Sequence, residues 1–222
     1  MNSTFYVVFG KRLFDAITCS AALFVLSPLL LLVGIAVRLT SDGPALFSQT
    51  RIGRFERPFR IFKFRTMQVT RGDSGSLITA AGDSRVTPLG RWLRVTKIDE
   101  LPQLLNVVVG QMSLVGPRPE VPKYTATYSD RQKHIFLVRP GITSLGINFD
   151  EERLLADAAD KESLYVSTIL PAKLAADLAY CERISFVEDQ RVIFETVAKV
   201  VQRIVQVMIE RRGIGAPRNL VT

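Results

Sequence analysis

The sequence predicts a mainly helical α+β protein, in which an apolar N-terminal helix precedes one small domain. Apolar residues make up 47% of the 222 residues and mean hydropathy is +0.19, although 23% of the residues are charged. These values agree if the apolar residues are concentrated in one segment, and they are, between Ala16 and Val37. The remainder is long enough for one domain of ordinary size. We therefore expect an N-terminal anchor over residues 1–40, a domain over 41–212 and a tail over 213–222.

The Ala16–Val37 segment contains no charged residue and, as an α-helix, would be about 33 Å long, close to the thickness of a bilayer core. Hydropathy favours a single helix that spans the membrane. Ser27-Pro28 in the middle favours a helix-break-helix instead, because proline removes a helical hydrogen bond. Basic residues flank both ends, which agrees with the positive-inside rule if both ends stay in the cytoplasm. The residues leave a kinked spanning helix and a re-entrant membrane helix equally open.

The net charge of +8 favours an anionic partner, which could be nucleic acid, an anionic membrane surface or a phosphate-rich substrate. We expect no nucleic-acid partner, because the sequence has no zinc-finger spacing, no aromatic RNA-binding motif and no lysine-rich arm. Cys19 lies in the apolar segment and Cys181 in a predicted helix, so we expect no disulfide and a reducing compartment. Two cysteines and one histidine are too few for a structural zinc site.

After the anchor, residues 42–66 read as short extended pieces joined by turns at Gly-Pro and Arg-Pro pairs. Aromatic and basic residues alternate in the FRIFKFR stretch, which is typical of a half-buried strand with one basic face. An interfacial segment with its aromatic rings among lipid headgroups is equally compatible. Residues 70–87 are rich in Gly, Ser, Asp and Thr, and they predict a mobile loop that is either a lid beside a site or a plain linker.

Most of the remaining chain is predicted to be helical. The 88–109 stretch reads as two helices, of which the second begins near Asp99 and ends at the following glycine. The next stretch, MSLVGPRPEVP, is too rich in proline and glycine for regular structure and predicts a rigid loop. Further helices are predicted at 124–138, 150–160, 161–168, 172–183 and from Ser185 onwards. In the last helix, an apolar stripe that includes Val197, Val201 and Met208 favours packing against the core.

Asp99 and Glu100 are the first candidates for chemistry. An acidic pair at the start of a helix also occurs simply because it interacts favourably with the helix dipole. The sequence contains no Walker loop and no G-x-G-x-x-G motif, and it lacks a good Ser/His/Asp or metal-binding cluster. Taken by itself, the pair is compatible with either a helix cap or a catalytic role.

Read together, several segments resemble the bacterial sugar transferase family, the monotopic phosphoglycosyl transferases that begin glycan assembly. The segments, spread over residues 11–203, are KRLFDA, FSQTRIGR, FRIFKFRTM, RVTPLGRWLRVTKIDELPQLLNVVVGQMSLVGPRPE, VRPGIT and SFVEDQRVIFETV. The resemblance implies a re-entrant anchor, amphipathic interfacial helices and a catalytic domain on the cytoplasmic face of a bacterial inner membrane. The SLGINFDEERLL stretch departs from the glycine- and asparagine-rich continuation that is frequent in the family.

The resemblance also implies that a sugar 1-phosphate moves from a UDP-sugar to a polyprenyl (undecaprenyl) phosphate, with release of UMP. Asp99 would be the nucleophile that carries the phosphosugar as an acyl phosphate, and Glu100, together with Asp99, would bind Mg²⁺. A carboxylate can attack phosphorus once the diphosphate charge is neutralised, and Mg²⁺ takes one or two carboxylates plus phosphate oxygens. Residues expected to bind the phosphates or the nucleotide are Arg94, Arg118, Arg139, Lys63, Arg65 and Asp177.

The expected partners are therefore a UDP-sugar donor, a polyprenyl phosphate acceptor and anionic membrane lipids, in the assembly of an exopolysaccharide, an O-antigen or a glycoprotein glycan. A metal-dependent nucleotide-sugar hydrolase and a non-enzymatic, membrane-tethered binding module are the alternatives. Release of UMP without the acceptor would favour the hydrolase, and the lack of any magnesium-dependent chemistry would favour the binding module. No residue pattern specifies the sugar, the glycan pathway or the oligomeric state.

Overall fold

The computed structural model describes residues 6–68, 78–146, 151–156 and 158–211, and within them the protein is mainly helical with two two-stranded sheets. The helices are α1 (Lys11–Thr40), α2 (Pro88–Thr96), α3 (Leu104–Val108), α4 (Pro122–Thr125), α5 (Glu151–Ala156), α6 (Lys161–Leu164), α7 (Leu170–Cys181) and α8 (Phe186–Arg211). The strands are β1 (Leu46–Ile52), β2 (Pro58–Phe64), β3 (Ser113–Val115) and β4 (Gly141–Thr143). Short 3₁₀ or π-helical turns occur at Tyr6–Gly10, Arg54–Glu56, Ile98–Gln103, Gln132–Leu137 and Tyr165–Ile169.

Helix α1 contains the predicted apolar segment and continues through Pro28 as one helix. The Ser27 hydroxyl donates a 2.8 Å hydrogen bond to the Phe24 carbonyl, which is the carbonyl that Pro28 deprives of its helical donor. The backbone is therefore helical on both sides of Ser27-Pro28 and is not interrupted there as the predicted helix-break-helix requires. The hydrogen bond from the Ser27 hydroxyl replaces the backbone hydrogen bond that Pro28 cannot make. By length and composition α1 could cross a membrane, and only 6% of its most apolar window is buried.

One face of α1 packs on the domain along much of its length, including both ends. Near its start, buried Asp15 accepts a 2.6 Å hydrogen bond from the Ser113 hydroxyl. Near its end, Val37 is buried against Phe64 and Leu93. The two ends of α1 are thus held by the same domain.

Strands β1 and β2 form an antiparallel hairpin, which confirms the extended structure predicted for residues 42–66. The hairpin pairs Leu46 with Phe64 at its open end. Buried Ile61 on β2 lies in a core cluster shared with α1 and α3. The same strand places the Lys63 ammonium beside the 3₁₀ turn that follows α2.

Strand β3 pairs in parallel with β4, inside the stretch predicted to be an irregular loop. That prediction is wrong for Ser113–Val115, because the partner strand lies far along the chain and local composition carries no signal of it. Glycines allow the two segments to approach closely. A β-carbon on Gly116 would lie 2.4 Å from the Arg139 carbonyl oxygen, and one on Gly141 would lie 2.1 Å from the Gly116 nitrogen. The loop after β3 is therefore pinned to the segment around β4.

Helix α8 confirms the long final helix, but only part of its apolar stripe packs as predicted. Val197, Val201 and Met208 are all exposed, so the prediction of core packing is wrong for them. Near the start of α8, Val192 and Ile193, of which Ile193 belongs to the predicted stripe, pack in a cluster with Val115. A helical spacing shows that apolar residues share a face, but it does not show what covers that face.

Two other predictions differ from the structure or fall outside it. In place of one helix over 124–138, the chain forms α4 and the separate turn Gln132–Leu137. The Gln132–Leu137 turn begins separately from α4, because the Gln132 side chain accepts a hydrogen bond from the Ser129 amide. Residues 70–77 of the predicted mobile loop and the predicted 213–222 tail lie outside the described residues.

Candidate active site

Asp99 and Glu100 lie in the 3₁₀ turn Ile98–Gln103, between α2 and α3, and each is only 6% exposed. The prediction that an α-helix starts at this pair is wrong. Lys97 adopts a left-handed conformation with φ 58° and ψ 14°, which ends α2 and starts the tighter turn without a side-chain cap. The acidic pair is consequently enclosed within a short connection instead of capping a long helix.

Two cations hold the Glu100 carboxylate. Its Oε1 atom accepts hydrogen bonds from Lys63 Nζ at 2.9 Å and from Arg118 Nη2 at 2.8 Å. Burial raises the pKa of Glu100, but the charges of Arg118 and Lys63 outweigh burial and hold that pKa well below its usual range. Burial lowers the pKa of Lys63, whereas the Glu100 charge raises the pKa of Arg118. Glu100 is therefore an ionised carboxylate, and Arg118 is its more firmly charged partner.

The neighbouring Asp99 carboxylate has a different environment. Its Oδ1 atom is buried, and no hydrogen-bond partner for it exists among the described residues. Burial and the charge of Glu100 raise the pKa of Asp99, while Lys63, Lys97 and Arg94 act in the opposite direction. Two adjacent carboxylates whose pKa values are pushed apart are typical of catalytic pairs. A raised pKa also makes the ionised Asp99 a better nucleophile than an ordinary aspartate.

Arg118 is held in place through its backbone as well as its side chain. Its amide donates a 3.0 Å hydrogen bond to Asp177 Oδ2, and the Gly146 amide donates a 3.1 Å bond to Asp177 Oδ1. Burial raises the pKa of Asp177 to about 6, although these two amides act to lower it. The structure thus places Asp177 behind Arg118, where it joins two loops. Its predicted contact with the substrate stays a prediction.

A second buried carboxylate secures the same loop two residues later. Glu120 Oε1 accepts a 2.7 Å hydrogen bond from Arg51 on β1, and Oε2 accepts a 2.5 Å bond from the Tyr165 hydroxyl. Burial raises the pKa of Glu120, but Arg51 and its other partners outweigh burial and lower it overall. The Arg118 loop is therefore tied to the hairpin, to the turn before α7 and to α7 itself.

Arg94 and Lys97 complete the cationic surroundings of the acidic pair. Arg94 donates a 3.0 Å bond to Thr66 Oγ1 and a 2.8 Å bond to Glu152 on α5. Lys97 Nζ lies 3.9 Å from Glu100 Oε1. Sequence reasoning missed Lys97, although its position directly before the Ile-Asp-Glu sequence is a signal that could have found it.

Two arginines predicted to bind substrate contact backbone carbonyls. Arg65 Nη2 donates hydrogen bonds to the carbonyl and the hydroxyl of Ser41, directly after α1. Arg139 Nε donates a 2.9 Å bond to the carbonyl of Gly110, two residues after the end of α3. Arg65 thus contacts the C-terminal end of α1 and Arg139 a loop carbonyl, and neither side chain contacts Glu100, so their predicted role in binding stays a prediction.

The acidic pair could supply two ligands to a cation. Among the described residues, no three His, Cys, Asp or Glu side chains are grouped to hold a metal ion. Asp99 Oδ1 has no hydrogen-bond partner among the described residues, and the contact of Glu100 Oε2 with Arg118 is a long 3.5 Å, so these two carboxylate oxygens could serve as ligands of a hard cation. Two carboxylates fit Mg²⁺ if phosphate oxygens and water complete its octahedral shell.

Comparison with known proteins matches most of the chain to one family. The sequence model of the bacterial sugar transferase family matches residues 6–203. The chain is 38% identical to a UDP-glucose:undecaprenyl-phosphate glucose-1-phosphate transferase of Klebsiella pneumoniae, over 85% of this chain and 39% of that protein. It is 39% identical to a protein of the same name from Caulobacter vibrioides, over 84% and 68%. It is 38% identical to the exopolysaccharide production protein PSS of Rhizobium leguminosarum, over 87% and 96%.

Proposed function

Because the chain belongs to the bacterial sugar transferase family, we propose that it transfers a sugar 1-phosphate from a UDP-sugar to a polyprenyl (undecaprenyl) phosphate. UMP is the released product. The observation that carries the proposal is the buried, unpartnered Oδ1 of Asp99 beside the cation-bound Glu100. The names of the Klebsiella and Caulobacter relatives support a UDP-sugar donor and an undecaprenyl phosphate acceptor.

In the proposed first step, Asp99 Oδ1 attacks the phosphorus atom that carries the sugar. The bond from this phosphorus to the bridging oxygen breaks, and its electron pair leaves with UMP. The product is an acyl phosphate that joins Asp99 to the sugar phosphate. In the second step, an oxygen of the polyprenyl phosphate attacks the same phosphorus, and the Asp99 carboxylate leaves in its original form. Neither step requires a general base, because both attacking oxygens are already ionised.

Cations near Asp99 offset the repulsion between an anionic nucleophile and an anionic diphosphate. Arg118 and Lys63 are within hydrogen-bond distance of Glu100, so the charge of that carboxylate is already balanced. Mg²⁺, held by Glu100 with Asp99 as the second ligand, would neutralise charge on the diphosphate oxygens when bound. Arg118 sits between two prolines and is held through its backbone by Asp177, which lowers the entropy lost when its guanidinium orients a phosphate.

We extend the proposal to membrane topology, in which α1 would hold the active site at the membrane surface. A domain on one side of a membrane can hold both ends of α1 if the helix bends at Ser27-Pro28 and returns to that side. The contact of Asp15 with Ser113 and the burial of Val37 against Leu93 support this re-entrant arrangement on the cytoplasmic face of a bacterial inner membrane. The exposed apolar stripe of α8 supports an additional interfacial helix.

The topology is tested by labelling single cysteines at Asn2 and Asp42 in inverted and right-side-out vesicles, in a chain whose native cysteines are replaced. With a membrane-impermeant maleimide, both positions should react only in inverted vesicles. Reaction of the two positions from opposite sides would show a spanning helix and would contradict re-entrance.

The activity is tested with detergent-purified protein, a panel of UDP-sugars, undecaprenyl phosphate and Mg²⁺, by measuring UMP. Turnover should occur with at least one donor, should depend on the acceptor and should vanish in Asp99→Asn. Without acceptor, radiolabel from the sugar should become bound to the protein in an amount no larger than the enzyme. Catalytic release of UMP without acceptor would favour the hydrolase, and substantial transfer by Asp99→Asn would exclude its role as nucleophile.

A further inference from the structure

The backbone at Lys97 is unusual for a lysine. Its φ of 58° lies in the left-handed region, and the other non-glycine residues with positive φ in the described part of the chain, Phe55 and Glu56, form the tip of the β1–β2 hairpin. At the end of a helix this conformation is normally adopted by glycine or asparagine, because a β-carbon there costs about 1 kcal/mol. A long cationic side chain is thus present at Lys97 although the backbone conformation there costs free energy, which indicates that the side chain has a role of its own.

The Lys97 ammonium lies beside the acidic pair, at a longer distance from Glu100 than Lys63 and Arg118. Its Nζ is 3.9 Å from Glu100 Oε1, beyond hydrogen-bond length. The same oxygen already accepts bonds of 2.9 Å from Lys63 and 2.8 Å from Arg118. The charge of Lys97 also acts on Asp99, the neighbouring carboxylate. Lys97 is therefore close to both carboxylates while Glu100 takes its short contacts from other cations.

Lys97 also differs from those cations in how open it is to solvent. The Lys97 side chain is 36% exposed, against 20% for Lys63 and 24% for Arg118. An ammonium on a flexible four-carbon stem can follow phosphate oxygens as they move, whereas a guanidinium pinned to a carboxylate cannot. A dianionic ligand that approaches Asp99 from solvent would find Lys97 to be the most accessible of these three cations.

Building on the proposed function, we propose that Lys97 is a substrate-contacting residue whose ammonium binds the diphosphate oxygens of the nucleotide donor. The contact neutralises negative charge as the diphosphate comes within reach of Asp99. It also explains why a lysine occupies a backbone position suited to glycine. A purely structural role, either as a hinge between α2 and the 3₁₀ turn or as a third partner of Glu100, makes different predictions.

Three substitutions separate these roles. Lys97→Gly removes the charge and relieves the backbone strain, so it should leave the melting temperature unchanged or higher. Lys97→Met removes the charge and keeps the length of the side chain. Lys97→Arg keeps the charge, and the strain remains. Arg91→Met is the matched control, because Arg91 is an exposed cation on α2.

The experiment is calorimetric titration of each full-length variant with UDP in detergent and Mg²⁺. Loss of a charge-assisted contact should weaken UDP binding about tenfold or more in Lys97→Gly and Lys97→Met. Lys97→Arg should stay within about threefold of the unaltered protein, and Arg91→Met should bind UDP unchanged. Folded Lys97→Gly that binds UDP as tightly as the unaltered protein would overturn the inference.

The same titrations separate this inference from the proposed function. If the unaltered protein binds UDP through Lys97 but transfers no sugar phosphate from any donor, the contact stands and the proposed function fails. If the protein is an active transferase and UDP binding ignores Lys97, the proposed function stands and the contact fails. If the unaltered protein does not bind UDP, the contact is overturned, and the UMP-release assay alone decides the proposed function.

Discussion

The backbone amide of Arg118 donates a 3.0 Å hydrogen bond to the Asp177 carboxylate, so the residue that binds Glu100 is itself held from behind. Replacing Asp177 by Ala leaves two buried amides, those of Arg118 and Gly146, without an acceptor. Because the guanidinium then loses its fixed position, kcat/KM for the donor should fall at least about tenfold. Steady-state UMP release at saturating acceptor measures this effect.

The control for Asp177 is Glu182→Ala, at the exposed end of α7, which should leave kcat/KM within about twofold. The Asp177→Ala variant should also melt at a lower temperature, because unsatisfied buried amides destabilise the folded state. A variant that melts earlier but retains full kcat/KM would contradict the positioning role and leave Asp177 a purely structural residue.

Replacing Asp99 by Asn should stabilise the protein although it abolishes transfer. Burial raises the pKa of Asp99, so the ionised carboxylate is disfavoured in the folded state. The stability that Asp99 contributes when protonated is present below the unfolded pKa of about 4 and is lost as pH rises through the higher folded-state pKa. The gain from Asn should therefore be larger at about pH 8 than at about pH 5.

Thermal unfolding at both pH values, without added Mg²⁺, measures this difference. The exposed Asp130 provides the control, and Asp130→Asn should show no gain that grows with pH. A gain for Asp99→Asn that is equal at both pH values, or a loss, would mean that the buried carboxylate is not disfavoured in the folded state.

The bond from Ser27 to the Phe24 carbonyl predicts that Ser27 and Pro28 are coupled. Ser27→Ala should destabilise the protein by about 1 kcal/mol, because the Phe24 carbonyl loses its donor in an apolar surrounding. In a Pro28→Ala background the new amide N–H can donate to that carbonyl, so Ser27→Ala should then have little effect. A double-mutant cycle of melting temperatures measures the coupling, with the exposed Ser20→Ala as control. Strict additivity would contradict it.

Glu152 on α5 is predicted to restrain donor binding, because its carboxylate pairs with Arg94 at 2.8 Å. Glu152→Gln removes the negative charge and leaves more of the Arg94 charge available to the diphosphate. The pair is partly exposed, so the KM for the donor should fall only by up to about fivefold. Glu162→Gln, which breaks the exposed pair with Lys123, should not change KM. A rise in KM for Glu152→Gln would show that Glu152 aids binding instead.

The parts of the site that could be predicted from the sequence are those that neighbouring residues encode. Asp99 and Glu100 stand next to each other in the sequence, and Arg118 stands between two prolines, so the residue types and their spacing were informative. The contact of Lys63 with Glu100 was not readable, because it depends on how the β1–β2 hairpin packs against the turn after α2. Arg65 and Arg139 are the opposite case. Both were predicted to bind substrate, and in the structure their side chains donate hydrogen bonds to the backbone carbonyls of Ser41 and Gly110.

The apolar helix, the extended pieces within residues 42–66, most of the later helices and the acidic pair could be predicted from the sequence, because each is encoded by neighbouring residues. Only the tertiary structure decided that Asp99 and Glu100 have pKa values shifted in opposite directions. Two adjacent carboxylates are chemically alike until folding buries both and brings Arg118 from a distant loop to one of them. That asymmetry is a property of long-range packing, which no local pattern of residues specifies.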